Sequence, residues 1–291
     1  MSGIRRFEPE LTRPEDLYFN YCWWPYQPVA AVEDKLRPVN LLFHSFDCAR
    51  MTQNAYQVVD LIRTEIGPFR TVWGVKWVEG RLAWEYYFYD YNRRERQISI
   101  TRVLNTIRPV VSSRLTVNEN LPYFMFSLDI NAEVVTGERP LDEVHMYVGN
   151  PGSTVSSGIA YSLRQEATIL ENLYFFFDAK RNRNDAAAKI FCSAYVDASK
   201  VPIDSLLWPE LRDCHTICVA NKRANDTVYF SGVNVDQLLY FLKRLNYPKA
   251  IIGDVLDHRS MLDHLLFDVG FDYIAQGDEV KVVKSGYYGV F

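Results

Sequence analysis

The chain has no long basic run. Its 32 Lys and Arg face 36 Asp and Glu, a net charge of -4, so nothing in it tracks a phosphate backbone, and nucleic acid is not expected as a partner. No apolar stretch approaches the roughly 20 residues that a membrane span needs; one of the longest is 173–177. The first 20 residues lack the apolar core of a signal peptide, so the expected setting is cytoplasmic, with no membrane partner. Cysteine is scarce and odd in number: Cys22, Cys48, Cys192, Cys214 and Cys218. A chain of 291 residues does not depend on disulfides, so reduced thiols are expected. A Gly-rich phosphate loop, a Ser nucleophile elbow and a metalloprotease helix are all missing.

What the chain has in excess is aromatic residues: 19 Tyr, 17 Phe and 6 Trp. Packed cores favour aliphatic side chains, so this many amphipathic rings points to a surface that touches a ligand. Residues 1–38, with five prolines and the cluster Tyr21-Cys22-Trp23-Trp24, read as an irregular arm, and 39–291 as one domain without an internal linker.

Along that domain, a short strand is expected at 39–46. A helix follows, with Val58, Val59, Ile62 and Ile66 at helical spacing, ended by Gly67-Pro68. Residues 72–78 and 82–91 form the clearest hairpin, around Glu79-Gly80-Arg81. Ile100, Val103, Leu104 and Ile107 stripe a helix that stops at Pro109. Further hairpins are expected at 123–130 with 143–148, at 159–164 with 171–177, and at 214–220 with 227–232. Asn184 would cap a helix running to 196. Asn234 and Gln237 form a capping box, and a helix at 260–269 would be closed by Gly270. The fifth hairpin joins 271–275 to a last strand starting at 279. Five hairpins with helices in most gaps make a loose internal repeat. The expected fold class is α+β: a ten-stranded antiparallel β barrel of repeated αββα units with helices outside.

Alternation splits each hairpin into two faces. One is apolar: Trp73, Val75 and Trp77; Phe124, Phe126 and Leu128; Val144, Met146 and Val148. The other mixes polar groups with rings: Glu85, Tyr87 and Tyr89; Ser127 and Asp129; Glu143, His145 and Tyr147; Asn172, Tyr174 and Phe176; Tyr229 and Ser231. If helices cover the apolar faces, closure turns the mixed ones toward a lumen. An open sheet with one wet face is the alternative.

Several segments resemble the soluble aromatic prenyltransferases of the ABBA, or prenyltransferase-barrel, fold. These are Tyr123-Phe124-Met125-Phe126-Ser127-Leu128-Asp129 with His145-Met146-Tyr147-Val148-Gly149, then Glu171-Asn172-Leu173-Tyr174-Phe175, and Lys284-Ser285-Gly286-Tyr287-Tyr288. The resemblance implies transfer of an isoprenoid from a prenyl diphosphate to a small aromatic or amino-acid-derived acceptor, in secondary metabolism. It implies no required cofactor, although some members use Mg²⁺. Tyr87, Tyr147, Tyr174, Tyr229, Tyr287 and Tyr288 would shield a carbocation, and Asn172 and Lys284 would meet the diphosphate. Where the family has basic lumen residues, this chain offers Glu143, Thr168 and Thr227, with Arg164, Lys76 and Lys281 as compensating cations if they face inward.

Asp129, Glu143 and His145 make a second constellation, a carboxylate-oriented general base. The same barrel without prenyl diphosphate, catalytic or merely ligand-binding, therefore stays open. Cys214-His215-x-x-Cys218 reads as buried thiols rather than a zinc site, since no second ligand pair exists. His258 and His264 are expected as surface or capping residues. The basic loop Lys180-Arg181-Asn182-Arg183 reads as a solvated turn.

Overall fold

Glu79 and Gly80, at φ 48° and 80°, turn the chain tightly between β1 (Thr71–Val78) and β2 (Arg81–Tyr89). Four more hairpins repeat this unit: β3 (Met125–Ile130) with β4 (Glu143–Gly149), β5 (Ser157–Arg164) with β6 (Ala167–Asp178), β7 (Thr216–Lys222) with β8 (Asp226–Val233), and β9 (Phe267–Gln276) with β10 (Glu279–Val290). The computed structural model describes residues 7–14, 16, 26–90 and 96–290. Its ten strands are antiparallel throughout and form a closed barrel in sequence order, sealed where β1 pairs with β10 (Val72 opposite Val290, Gly74 opposite Tyr288). Closure removes both sheet edges.

The helices lie outside. They are α1 (Val39–Cys48), α2 (Gln53–Ile66), α3 (Ile100–Ile107), α4 (Ala132–Thr136), α5 (Arg183–Phe191), α6 (Val235–Arg244), α7 (Lys249–Asp257) and α8 (Arg259–Leu262). They cover the apolar wall: Phe46 of α1 meets Trp84 edge-on with ring centroids 5.2 Å apart, and Phe241 of α6 packs on Trp208, itself stacked on Phe271 of β9 at 4.5 Å. Trp73, Val75, Phe126, Leu128, Val144 and Met146 are all buried on this side. The core is thus the layer between barrel wall and helices.

Three sequence expectations are corrected. Residues 39–46 are helical, part of α1. Seven of the ten α1 residues are buried, and a helix enclosed on most sides shows no polar stripe, so its apolar run reads like a strand. The helix expected at 260–269 stops at Leu262, and Gly270 lies within β9. That glycine is kept small by a ring: a Cβ there would sit 2.2 Å from Cδ1 of Tyr229. The fifth helix begins after Asn182, not Asn184, and ends at Phe191. Helix α7 was not foreseen.

In the N-terminal segment, Leu11 bridges Leu36. Glu10 accepts two hydrogen bonds from Arg63 of α2 at 2.6 and 2.8 Å, and Arg37 meets Asp16 at 2.6 Å. The cluster Tyr21 to Trp24 and Tyr91 lie outside the described residues. Among the described residues no helix is long and apolar enough to cross a membrane.

Candidate active site

Residues opposite one another in an antiparallel pair share a face, so the register identifies the inward side chains. Tyr87 lies opposite Ser127, Tyr147 opposite Ala160, Tyr174 opposite Gly158 and Ala220, Tyr229 opposite Cys218 and Gly270, and Tyr288 opposite Gly74. One tyrosine comes from the second strand of each hairpin, and a small residue stands opposite it on at least one neighbouring strand. The rings lean over that space and meet: Tyr87 to Tyr147 at 6.1 Å between centroids, Tyr147 to Tyr174 at 5.9 Å, Tyr174 to Tyr229 at 6.5 Å, Tyr229 to Tyr288 at 6.3 Å, and Tyr288 back to Tyr87 at 6.1 Å. Five tyrosines therefore close a ring around the lumen. Burial pushes the hydroxyls of all five far up, so they remain neutral phenols.

Between this ring and the mouth at the hairpin turns lies a charged layer. Lys76 sits 3.0 Å from Glu85 and 2.7 Å from Asp129, and Tyr87 donates to Glu85 at 2.7 Å. Burial alone would neutralise Lys76, but the two carboxylates override it and hold its pKa well up. Burial likewise opposes the charge on Asp129, and the Lys76 ammonium overcomes it, holding that carboxyl well below the usual range. Across the barrel, Lys222 lies 3.0 Å and Lys284 3.4 Å from Asp272, which also accepts from Thr227 at 2.7 Å. Burial lowers the pKa of Lys222, with Asp272 partly offsetting it.

His145 is hydrogen-bonded through Nδ1 to Glu171 at 2.8 Å. Burial would lower the imidazole pKa, but the Glu171 hydrogen bond and the neighbouring carboxylates raise it. That same hydrogen bond from His145 lowers Glu171. Glu143 accepts from Ser162 and from Arg164, the latter at 3.1 Å. Asn172 donates to the Tyr174 hydroxyl at 3.0 Å.

The lumen thus gathers Lys76, Asp129, Glu143, His145, Asn172, Lys284 and five of the six expected tyrosines, with Arg164 at its rim. Tyr287 is the exception. Its neighbour in register is Val75, and its ring packs outside the wall between Trp73 (6.0 Å) and Tyr247 (5.8 Å), as alternation requires once Tyr288 faces inward. Thr168 is also outside, opposite Leu163, whereas Thr227 does face the lumen. His264 is fully buried rather than a surface residue, and His258 is the C-cap of α7. Cys214 and Cys218 are buried free thiols; burial pushes Cys214 up to about 12.

Lumen residues that escaped the sequence reading as site residues include Glu85, Glu171, Lys222 and Asp272. Lys222 and Glu85 were accessible to it, since Cys218, Ala220 and Lys222 share a face by strict alternation. Glu171 was not. Leu170 and Asn172 pair with the consecutive residues Tyr161 and Ala160, so Glu171 is the extra residue of a β-bulge, which alternation cannot anticipate. Glu143, His145 and Glu171 each offer a ligand atom, all within 4.8 Å of one another, the one such group among the described residues.

A closed ten-stranded antiparallel barrel with helices outside is the prenyltransferase-barrel fold, which solved aromatic prenyltransferases share. The crystal structure of AnaPT from Neosartorya fischeri is similar over 86% of this chain and 90% of that one, at a TM-score of 0.50 and 10% identity. That of 5-dimethylallyl tryptophan synthase from Streptomyces coelicolor, in complex with DMASPP and Trp, covers 85% and 92% at 0.43 and 10%. At such identities the likeness is one of fold. No family model and no curated protein matches the sequence.

Proposed function

We propose that the protein is a prenyltransferase-barrel enzyme that transfers an isoprenoid from a prenyl diphosphate to a small aromatic acceptor inside the lumen. The closed ring of Tyr87, Tyr147, Tyr174, Tyr229 and Tyr288 carries this reading. Five π faces around one space stabilise a cationic species and keep water from it. In the reaction the allylic C–O bond breaks and diphosphate leaves with the electron pair. The acceptor's ring attacks the allyl cation, and the proton released from the attacked carbon passes to a carboxylate. Glu85, hydrogen-bonded to Tyr87 at the edge of the ring, is the carboxylate best placed for it. Among the described residues Lys222 and Lys284 share Asp272 as their ion-pair partner, two cations to one carboxylate at that point, which offers positive charge to the departing diphosphate.

A second reading rests on the pairing of the remaining cations. Lys76 and Arg164 are already held by carboxylates, which favours acid–base chemistry at His145, Glu171 and Asp129 on an aromatic substrate without a diphosphate. Thermal melting with dimethylallyl and geranyl diphosphate, against phosphate and pyrophosphate controls, separates the two. The transferase reading expects stabilisation beyond the controls, reduced in Lys222→Ala and Lys284→Ala; no stabilisation beyond them abandons it in favour of the second.

A further inference from the structure

The charged layer is lopsided. On the β1–β6 side Glu85, Asp129, Glu143 and Glu171 have Lys76 and Arg164 as their permanently charged ion-pair partners among the described residues, while the β7–β10 side sets Lys222 and Lys284 against Asp272, with Lys222 acting at longer range on Glu171 and Lys284 on Asp129. The first side holds two more carboxylates than permanent cations, before the imidazole of His145 is counted. Such a wall attracts a cation, and the imidazole in its midst says of which kind. We propose that Glu143, His145 and Glu171 form a binding site for one divalent first-row transition-metal ion of the Zn²⁺ or Co²⁺ type, inside the barrel near the hairpin-turn mouth.

The backbone builds this group. Glu143 and His145 are two residues apart on β4 and point the same way, and the β6 bulge swings Glu171 toward them from across β5. Nδ1 of His145 and Oε2 of Glu171 are 2.8 Å apart, with all three donor atoms within 4.8 Å. An ion at about 2.0–2.2 Å from nitrogen and oxygen donors fits that spread after small side-chain rotations. Ser162 and Arg164 hydrogen-bond Oε1 of Glu143 and so orient it, as outer partners of ligating carboxylates usually do, and each carboxylate oxygen keeps a second lone pair. Three protein ligands leave open positions toward the lumen for water or a substrate oxygen. The imidazole nitrogen selects against Mg²⁺, which prefers six oxygens in a strict octahedron.

This inference does not rest on the transferase reading, and its test uses metal alone. Chelator-treated full-length protein is titrated with Co²⁺, followed by visible d–d absorption, and with Zn²⁺ and Mg²⁺ by calorimetry. One equivalent of Co²⁺ and of Zn²⁺ is expected, with Mg²⁺ much weaker. In His145→Gln the affinity falls at least about 100-fold, the upper end of what loss of a mere supporting residue costs, and Glu171→Gln weakens it as well. Circular dichroism confirms the fold of each variant, and Glu171→Gln decides if His145→Gln does not fold. No stoichiometric binding, or binding unchanged in the folded variants, overturns the site; equal affinity for Mg²⁺ overturns the ion class.

Discussion

At the residue scale, function in this barrel depends on what is left out as much as on what is present. Gly270 and Gly74 have no side chain because Tyr229 and Tyr288 lie over them, and a Cβ would meet those rings at 2.2 and 2.6 Å. Gly270→Ala must displace Tyr229. Such overpacking costs about 1–3 kcal/mol, and the break in the ring should lower affinity for aromatic ligands; urea unfolding and ligand titration check both. His264 makes a different kind of point. Fully buried, it has its pKa pushed down by burial to about 4, against about 6.5 unfolded. The unfolded state then binds more protons between those values, so this contribution is complete above pH 6.5 and is lost as pH falls toward 4. The full loss is about 3 kcal/mol. Urea midpoints between pH 7 and pH 4.5 should fall less steeply in His264→Leu than in the parent chain, and parallel slopes would refute the assignment.

At the element scale, legibility followed solvent exposure. Helix α6 was read from its ends and its stripe: the Asn234 side chain accepts from the Gln237 backbone, the Gln237 side chain accepts from Asn234, and Leu238, Leu239 and Leu242 are buried. Asn234→Ala should cost about 1 kcal/mol, read as a lower melting temperature with no change in ligand binding. Helix α1 was misread because it is buried on most faces, and β9 because a glycine that makes room for a ring looks like a helix cap. The β6 bulge hid Glu171 for a related reason: alternation carries a strand's faces only as far as the register holds. The partner that raises the pKa of His145 was therefore missed, although His145 itself was found.

At the scale of the whole molecule, the barrel is one closed hydrogen-bonded circuit. β10 pairs with both β9 and β1, and it brings Lys284 and Tyr288 to the lumen. Removing residues 279–291 would expose two strand edges and open the tyrosine ring. The expected outcome is loss of cooperative melting and aggregation from the new edges, measured by circular dichroism and light scattering; a soluble truncated chain that melts cooperatively would show closure to be dispensable. Read by itself, the sequence determined the five hairpins, their two faces and four of the five ring tyrosines, Tyr87, Tyr147, Tyr174 and Tyr229, because strand periodicity and turn chemistry are local; it did not separate Tyr288, which faces the lumen, from Tyr287, which does not. It could not determine the pairing of charges. Lys76 meets Asp129 across 53 residues and Lys222 meets Asp272 across 50, contacts that exist only once β1 to β3 and β7 to β9 pair side by side. Tertiary structure alone decided that the mixed faces converge on one ring, and that most of the lumen cations stand beside carboxylates, because both depend on which strands become neighbours.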